Sequence, residues 1–425
     1  RNGLVYFLLQ NDLMVQRESN TEEDGNDIDL AEVYPFEDKE EGENAEYTKA
    51  EPAAVHRESR LFAAYEAQIR RLKEKIGAYT GDLFLFQQPC AMAHNFMESL
   101  LDWNLVSQNI IFMSNGYMTE VGKKFTESEI KEMADGLEDF QQFLSARGIP
   151  LLYANAGSKV CPYDTRLFQG APEYSNENAD GLLTELRKRG MDVLDFREEM
   201  QKEGLPWYEY YYRTDHHWTT GAGLWAAGVL AKKLNAEYGF SFDPSFFSPD
   251  AYEVDRYENY WLGYYGRKVT TARTALENYD LLLPRYATDY TLYVPENNLR
   301  LRGTYSEVLF NRERFDQIAS YNAFDHLNKT DAYGCLRGGS VMSIHNHRPT
   351  HNEGKKILLI RESFSAYLLT FLASDIEDID AVSTFSGSIR TYIEKTEPDM
   401  VIVLYYINSI LPGDWSTLGH KFDFR

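Results

Sequence analysis

Apolar residues recur at helical spacing through ESEIKEMADGLEDFQQFLSARG (127–148), and Gly148 stops the run. The next stretch, IPLLYANAG (149–157), is too continuously apolar for a surface helix and too short for a buried one. It reads as a buried strand. A second helix over ADGLLTELRKRG (179–190) and a strand over MDVLDF (191–196) repeat the alternation. So does the C-terminal third: KKILLIRESFSAYLLTFLASD (355–375) runs from strand to helix, and SGSIRTYIEKTEPDMVIVLYY (386–406) runs from helix through Pro398 to strand. Strand–helix–strand alternation predicts an α/β fold, a parallel sheet flanked by helices.

Other patterns lie around this frame. RLFAAYEAQIRRLKEKIGAY (60–79) has an amphipathic helical period, and Asn115-Gly116 between two apolar runs in 109–121 is a hairpin signal. Residues 250–350 are rich in Tyr, Trp, Gly and Thr, and segments such as YENYWLGYYGRK and ATDYTLYV alternate like strands. They are expected to form a β-rich insertion, a flank or a lid. The chain divides into an N-terminal segment (1–60) and one large α/β domain (61–425) that includes this insertion.

Composition narrows the function. The net charge of −23 opposes nucleic-acid binding, which needs a basic face for phosphates. Residues 17–59 hold 15 acids against four basic residues and few large apolar ones. Such a stretch cannot bury enough surface to offset its ordering entropy, so a solvated arm is expected there. Three distant cysteines, Cys90, Cys161 and Cys335, form neither a disulfide framework nor a zinc finger. The 30 tyrosines suit sugar or peptide contacts, or half-burial at sheet edges. The N-terminal GLVYFLL is too short to span a bilayer.

The chemistry concentrates in two places. YYYRTDHHWTTGAG (210–223) sets Asp215, His216, His217 and Trp218 in a row, in a chain with only nine histidines. In an extended segment Asp215 and His217 face one side and His216 the other. Thr219 or Thr220 then caps a helix. An aspartate fixes a histidine's tautomer, and a hydroxyl completes a triad. The candidate hydroxyl is Ser363, after the strand Ile357–Ile360 and before a helix. Ligands bind at that edge of an open sheet, and helix N-terminal amides there can hold an oxyanion. No G-x-S-x-G elbow is present. The plainer alternatives are a polar helix entry over a packed Trp218 and a capping Ser363. His345, His347 and His351 have ligand-like spacing, but no H-E-x-x-H or cysteine cluster supports them. No metal and no cofactor is expected.

YYYRTDHHWTTGAG resembles the signature of the bacterial DHHW family, and KKILLIRESFSAYL resembles that family's later serine block. FMSNGYM, SYNAFDHLNKTDAYGCLRGGSVMSIHNH and IDAVSTFSGSIRTYIEKTEPDMVIVLYY stand with them in family order, so the likeness spans about residues 105–410. The DHHW family is similar to the alginate O-acetyltransferase group, which has an SGNH-hydrolase-like fold. The resemblance implies that Asp215 orients His217, that His217 is the base and that Ser363 is the nucleophile. Asn155 and Gly157 in YANAGSK are candidates for the oxyanion site, with His216 and Trp218 in support. Tyr260, Trp261, Tyr264 and Tyr265 are candidates for a sugar-stacking platform. One departure matters: Glu362 precedes the serine, and its charge opposes a negative intermediate unless it points away. The implied activity is O-acetyl transfer or ester hydrolysis outside the cytoplasm, with a cell-envelope or extracellular polysaccharide as substrate and an acyl-donor protein as a further partner. A secretion signal or membrane anchor is expected upstream of Arg1. A catalytically degenerate glycan-binding or scaffold protein is the alternative.

Overall fold

In the computed structural model the described residues are 106–107, 109–312, 315, 336, 339–383, 388–410 and 421–424. The expected acidic arm and the helix over 60–79 lie outside them. Residues 104–268 with 274–425 form one compact unit. That unit is described below.

In chain order the elements are β1 (Val106–Ser107), β2 (Ile110–Phe112), β3 (Met118–Glu120), α1 (Glu127–Ser145), β4 (Leu151–Asn155), α2 (Ser175–Lys188), β5 (Val193–Asp195) and α3 (Phe196–Lys202). Then come α4 (Thr220–Glu237), β6 (Tyr252–Trp261), α5 (Tyr264–Val269), β7 (Glu277–Pro284), β8 (Tyr290–Val294), β9 (Leu299–Gly303) and α6 (Tyr305–Val308). The last are β10 (Val341–Asn346), β11 (Lys356–Arg361), α7 (Ser365–Leu372), β12 (Asp378–Val382), α8 (Ile389–Thr396) and β13 (Met400–Tyr405).

Eight strands form the main sheet, in the order β5-β4-β13-β11-β12-β10-β8-β9. The first five pair in parallel; β10, β8 and β9 continue antiparallel. The β-rich region therefore does two things. Its strands β8, β9 and β10 extend the central sheet, while β6 and β7 pair as a separate hairpin. The Asn115-Gly116 hairpin is also found, with β2 antiparallel to β3.

The continuous apolar runs are explained by cover on both faces. Ile357 and Leu359 of β11 join one core, with α4 and α7, while Leu358 and Ile360 join the other, with α1, α2 and α8. Each such side chain, taken from water, contributes about 1.5–3 kcal/mol. β13 alternates in the same way, with Met400, Ile402 and Leu404 on one side and Val401, Val403 and Tyr405 on the other. The carboxyl ends of β4, β13 and β11 consequently lie along one edge: Asn155 is paired with Tyr405, and Leu404 with Arg361. Ser363 leaves the sheet at this edge.

Candidate active site

Ser363 follows β11 by two residues and precedes the first turn of α7. The turn is tight. The Ser365 amide donates to the Glu362 carbonyl at 3.2 Å, the Ala366 amide to the Ser363 carbonyl at 3.0 Å, and the Phe364 amide to Glu362 Oε2 at 3.1 Å. The amides of residues 364–366 are thus engaged locally, which corrects the expectation that the opening amides of this helix face an oxyanion.

The Asp215–His217 segment is a bent loop and not the extended strand read from the spacing. Tyr211 and Trp218 bridge its two ends, and the Tyr212 amide donates to the His217 carbonyl at 3.1 Å. Inside the loop Asp215 Oδ1 accepts the His217 amide at 2.9 Å, the two-residue turn that a short acidic side chain favours. The same oxygen lies 2.6 Å from His217 Nδ1. Because the loop bends, His216 does not face away; its ring centroid lies 3.8 Å from that of His217. Thr219 is the cap of α4, accepting the Ala222 amide at 3.2 Å.

His217 Nε2 lies 2.7 Å from Ser363 Oγ across 146 residues of chain. The proton positions follow from the acceptor at the far end. An ionised carboxylate only accepts, so Nδ1 carries the proton and donates to Asp215, and Nε2 is left to accept from the serine hydroxyl. Burial alone would raise the Asp215 pKa. The neighbouring imidazoles, the His217 hydrogen bond and the Tyr264 amide (2.7 Å to Oδ2) outweigh it and hold the carboxyl well below the ordinary range. Asp215 and His217 are buried, whereas Ser363 keeps partial exposure.

Three residues that no motif flagged fix this loop. Lys159, itself buried, donates to the carbonyls of Tyr212 (2.7 Å), Arg213 (3.2 Å) and Asp215. Burial pulls its pKa down to about 7. Glu277 takes the other side of the same backbone, accepting the Arg213 amide at 2.7 Å and the Thr214 amide at 2.8 Å. Gly263 lets the α5 segment close on Asp215: a Cβ there would lie 2.3 Å from the Asp215 Cβ and 2.8 Å from its backbone nitrogen. Lys159 thus holds the carbonyls of this loop and Glu277 its amides, on either side of Asp215.

Glu362 does not point away from the serine. Its Oε2 lies 3.3 Å from Ser363 Oγ, and Oε1 has no hydrogen-bond partner among the described residues. Burial raises its pKa, against the opposing pull of Lys421 and the Phe364 amide. A raised folded value means that the native state holds this proton more tightly than the unfolded chain. The associated stability is complete below the ordinary value of 4.5 and is lost as pH rises through the folded value. Glu362→Gln keeps an acceptor for the Phe364 amide and removes the ionisation. Urea unfolding at about pH 5 and about pH 8 is expected to show the variant gaining on the parent protein as pH rises. An equal difference at both values would mean that Glu362 is ionised throughout.

The other residues singled out by sequence lie as follows. Asn155 is buried at the same sheet edge, but its amide nitrogen donates to Asp195 at 2.9 Å. Asp195 in turn is paired with buried Arg197 at 2.8 Å. Gly157, at φ +74°, makes room for that arginine: a Cβ would lie 2.8 Å from Arg197 Cγ. Both residues are tied to the Asp195–Arg197 pair.

Trp218 is core, packed edge-on against Phe196 and Phe364 at 5.5 Å each. Phe364 also stacks on Tyr406 at 4.5 Å, so the ring next to Ser363 anchors both halves of the site. The aromatic platform needs correction: Tyr260, Trp261 and Tyr265 are buried at 5%, 0% and 1% exposure, and a buried face cannot stack on a sugar. Trp261 packs on Tyr212 and Tyr279 instead. Tyr264 is half-buried. Of the three spaced histidines, His345 and His347 lie together with ring centroids 4.5 Å apart, bonded to Asp378 (2.9 Å) and Thr291 (2.7 Å), while His351 pairs with Asp375 (2.9 Å).

Residues 111–254 match the family model of the SGNH hydrolase-like domain of the acetyltransferase AlgX. The chain has an SGNH hydrolase-like fold. Its fold is similar to that of Bacillus cereus PatB1, solved with a sulfonyl adduct; the two are 16% identical, with 76% of this chain and 100% of that one covered and a TM-score of 0.58. It is also similar to a DHHW family protein from Eubacterium siraeum, at 13% identity, 72% and 93% coverage and a TM-score of 0.52. No curated protein matches the chain. The likeness to the DHHW family and the alginate O-acetyltransferase group read from the sequence, and the α/β sheet flanked by helices, are both borne out. Among the described residues no helix is long and apolar enough to cross a membrane.

Proposed function

We propose that the protein is a serine O-acetyltransferase or acetylesterase acting on a polysaccharide outside the cytoplasm, with Ser363 as nucleophile, His217 as base and Asp215 as its orienting partner. The observation that carries this reading is the unbroken relay from Asp215 Oδ1 to His217 (2.6 Å) to Ser363 Oγ (2.7 Å) at the carboxyl edge of the sheet. The family match to an acetyltransferase domain supports the acyl group, and a sulfonyl adduct on a protein of similar fold supports a reactive hydroxyl.

Ser363 Oγ attacks the carbonyl carbon of an acetyl ester while its proton passes to His217 Nε2. The tetrahedral intermediate collapses, the ester C–O bond breaks, and the leaving alkoxide takes that proton. The serine now carries the acetyl group. A sugar hydroxyl gives its proton to His217 and attacks, the acyl–serine bond breaks, and the serine oxygen regains the proton. Water in place of the sugar gives acetate, and the net reaction is hydrolysis. Asp215 stabilises the imidazolium formed in each half. Burial raises the Glu362 pKa, which shifts this group toward its neutral form and lessens like-charge repulsion with the intermediate.

The experiment is a two-product assay with p-nitrophenyl acetate as donor and a soluble polysaccharide as acceptor. Release of p-nitrophenol with acetyl groups on the polysaccharide is the expected result. Release without incorporation selects the esterase arm. No release, together with polysaccharide binding, overturns the enzymatic reading and favours a binding protein on a degenerate fold.

A further inference from the structure

His216 is the member of the motif that the relay does not use. Its side chain keeps 18% exposure, against 2% for His217, so it is the imidazole that a ligand meets first. Among the described residues neither of its ring nitrogens has a hydrogen-bond partner: Nδ1 stands 3.6 Å from Asp215 Oδ1, beyond hydrogen-bond reach. The partly exposed ring therefore keeps polar atoms available to a ligand.

Packing fixes the ring. It lies 5.9 Å from Tyr264, 5.8 Å from Tyr265, 6.0 Å from Phe364 and 6.4 Å from Tyr406. Phe364 is the residue after the nucleophile. The ring centroid is 3.8 Å from that of His217, so whatever His216 holds sits beside the base.

We propose that His216 holds the acceptor hydroxyl and directs acyl transfer to a sugar alcohol over water. The proposal rests on the serine-ester reading above and assigns the acceptor side of that site. Burial, with the neighbouring His217, pushes the His216 pKa down to about 3, so the ring is neutral at working pH. A neutral imidazole offers one donor and one acceptor, which is the complement of a hydroxyl. It offers no charge, so nothing in it favours an ammonium or a carboxylate. Tyr264, half-buried, stands edge-on to the ring at 86°, an apolar wall suited to the carbon skeleton that distinguishes a sugar from water.

The test measures where the acyl group goes. The full chain is given p-nitrophenyl acetate with glycerol, whose neighbouring hydroxyls imitate a sugar diol, and the ratio of glyceryl acetate to acetate is read. His216→Phe keeps an aromatic ring and deletes both polar atoms; the ratio is expected to fall about tenfold, roughly 1.4 kcal/mol of discrimination. His216→Gln retains a donor and an acceptor and is expected to recover most of that ratio. A purely structural role would lower both products in parallel and leave the ratio alone. An unchanged ratio in His216→Phe, or no recovery in His216→Gln, overturns the proposal. If the parent protein releases no p-nitrophenol, the serine-ester reading itself has failed. If it acylates normally and the ratio ignores His216, this inference alone has failed.

Discussion

Replacing Ser363 with alanine is expected to lower p-nitrophenol release by at least about 1,000-fold, with the urea unfolding midpoint little changed. The effect is large because in the proposed reaction the hydroxyl supplies the atom that bonds to the acyl group, and no neighbour replaces it. Glu362 is the nearest rival, and its Oε2 is occupied by the Phe364 amide at 3.1 Å. The fold loses little. The serine is partly exposed, and among the described residues its hydroxyl bonds to His217 at 2.7 Å and Glu362 at 3.3 Å. One neutral hydrogen bond contributes about 1 kcal/mol. A residual rate is expected, since the bound ester and a base still act on water.

Asp215→Asn is expected to lower turnover by about 10,000-fold, close to the loss of the serine itself. The carboxylate makes three bonds in which it only accepts: from His217 N and Nδ1 at one oxygen, and from the Tyr264 amide at the other. An asparagine replaces one oxygen by a donor. If the nitrogen faces His217, it meets the backbone amide and drives the ring to the tautomer protonated on Nε2. That nitrogen can then no longer take the Ser363 proton. If the nitrogen faces Tyr264, two donors are opposed in a buried place. Lys159 and Glu277 hold the backbone on either side of this residue, and the Gly263 segment closes on it. The check is a rate profile over pH, with unfolding measured in parallel. Retained turnover in this variant would mean that His217 needs no oriented partner.

The frame of the molecule was readable because burial on both faces leaves strands with uninterrupted apolar runs, as in Ile357–Ile360 and Met400–Leu404. Asp215, His217 and Ser363 were readable because short motifs hold them. Three kinds of feature were not. Lys159 and Glu277 act on the loop across more than 50 residues of chain, and each is one charged residue with no pattern around it. The orientation of His216 depended on a bend that i, i+2 spacing does not encode; an aspartate two residues before a histidine amide is the signal for that turn. Tyr260, Trp261 and Tyr265 looked like a sugar platform from composition alone. They are buried because the segment that carries them closes over the Asp215 loop, with the Gly263 amide donating to Thr214 Oγ1 at 2.9 Å. In the β-rich region alternation predicted strands but not their partners: β8–β10 belong to the main sheet, and the second half of YENYWLGYYGRK is the helix α5 and not strand.

The central claim is that one imidazole, held by a carboxylate, makes a single serine nucleophilic. The most direct measurement is covalent labelling of the full chain with phenylmethanesulfonyl fluoride, followed by peptide mass spectrometry. The account predicts one adduct, on Ser363, absent in Ser363→Ala and slowed at least about 100-fold in His217→Ala. An unlabelled Ser363, or labelling that ignores the loss of His217, would contradict it.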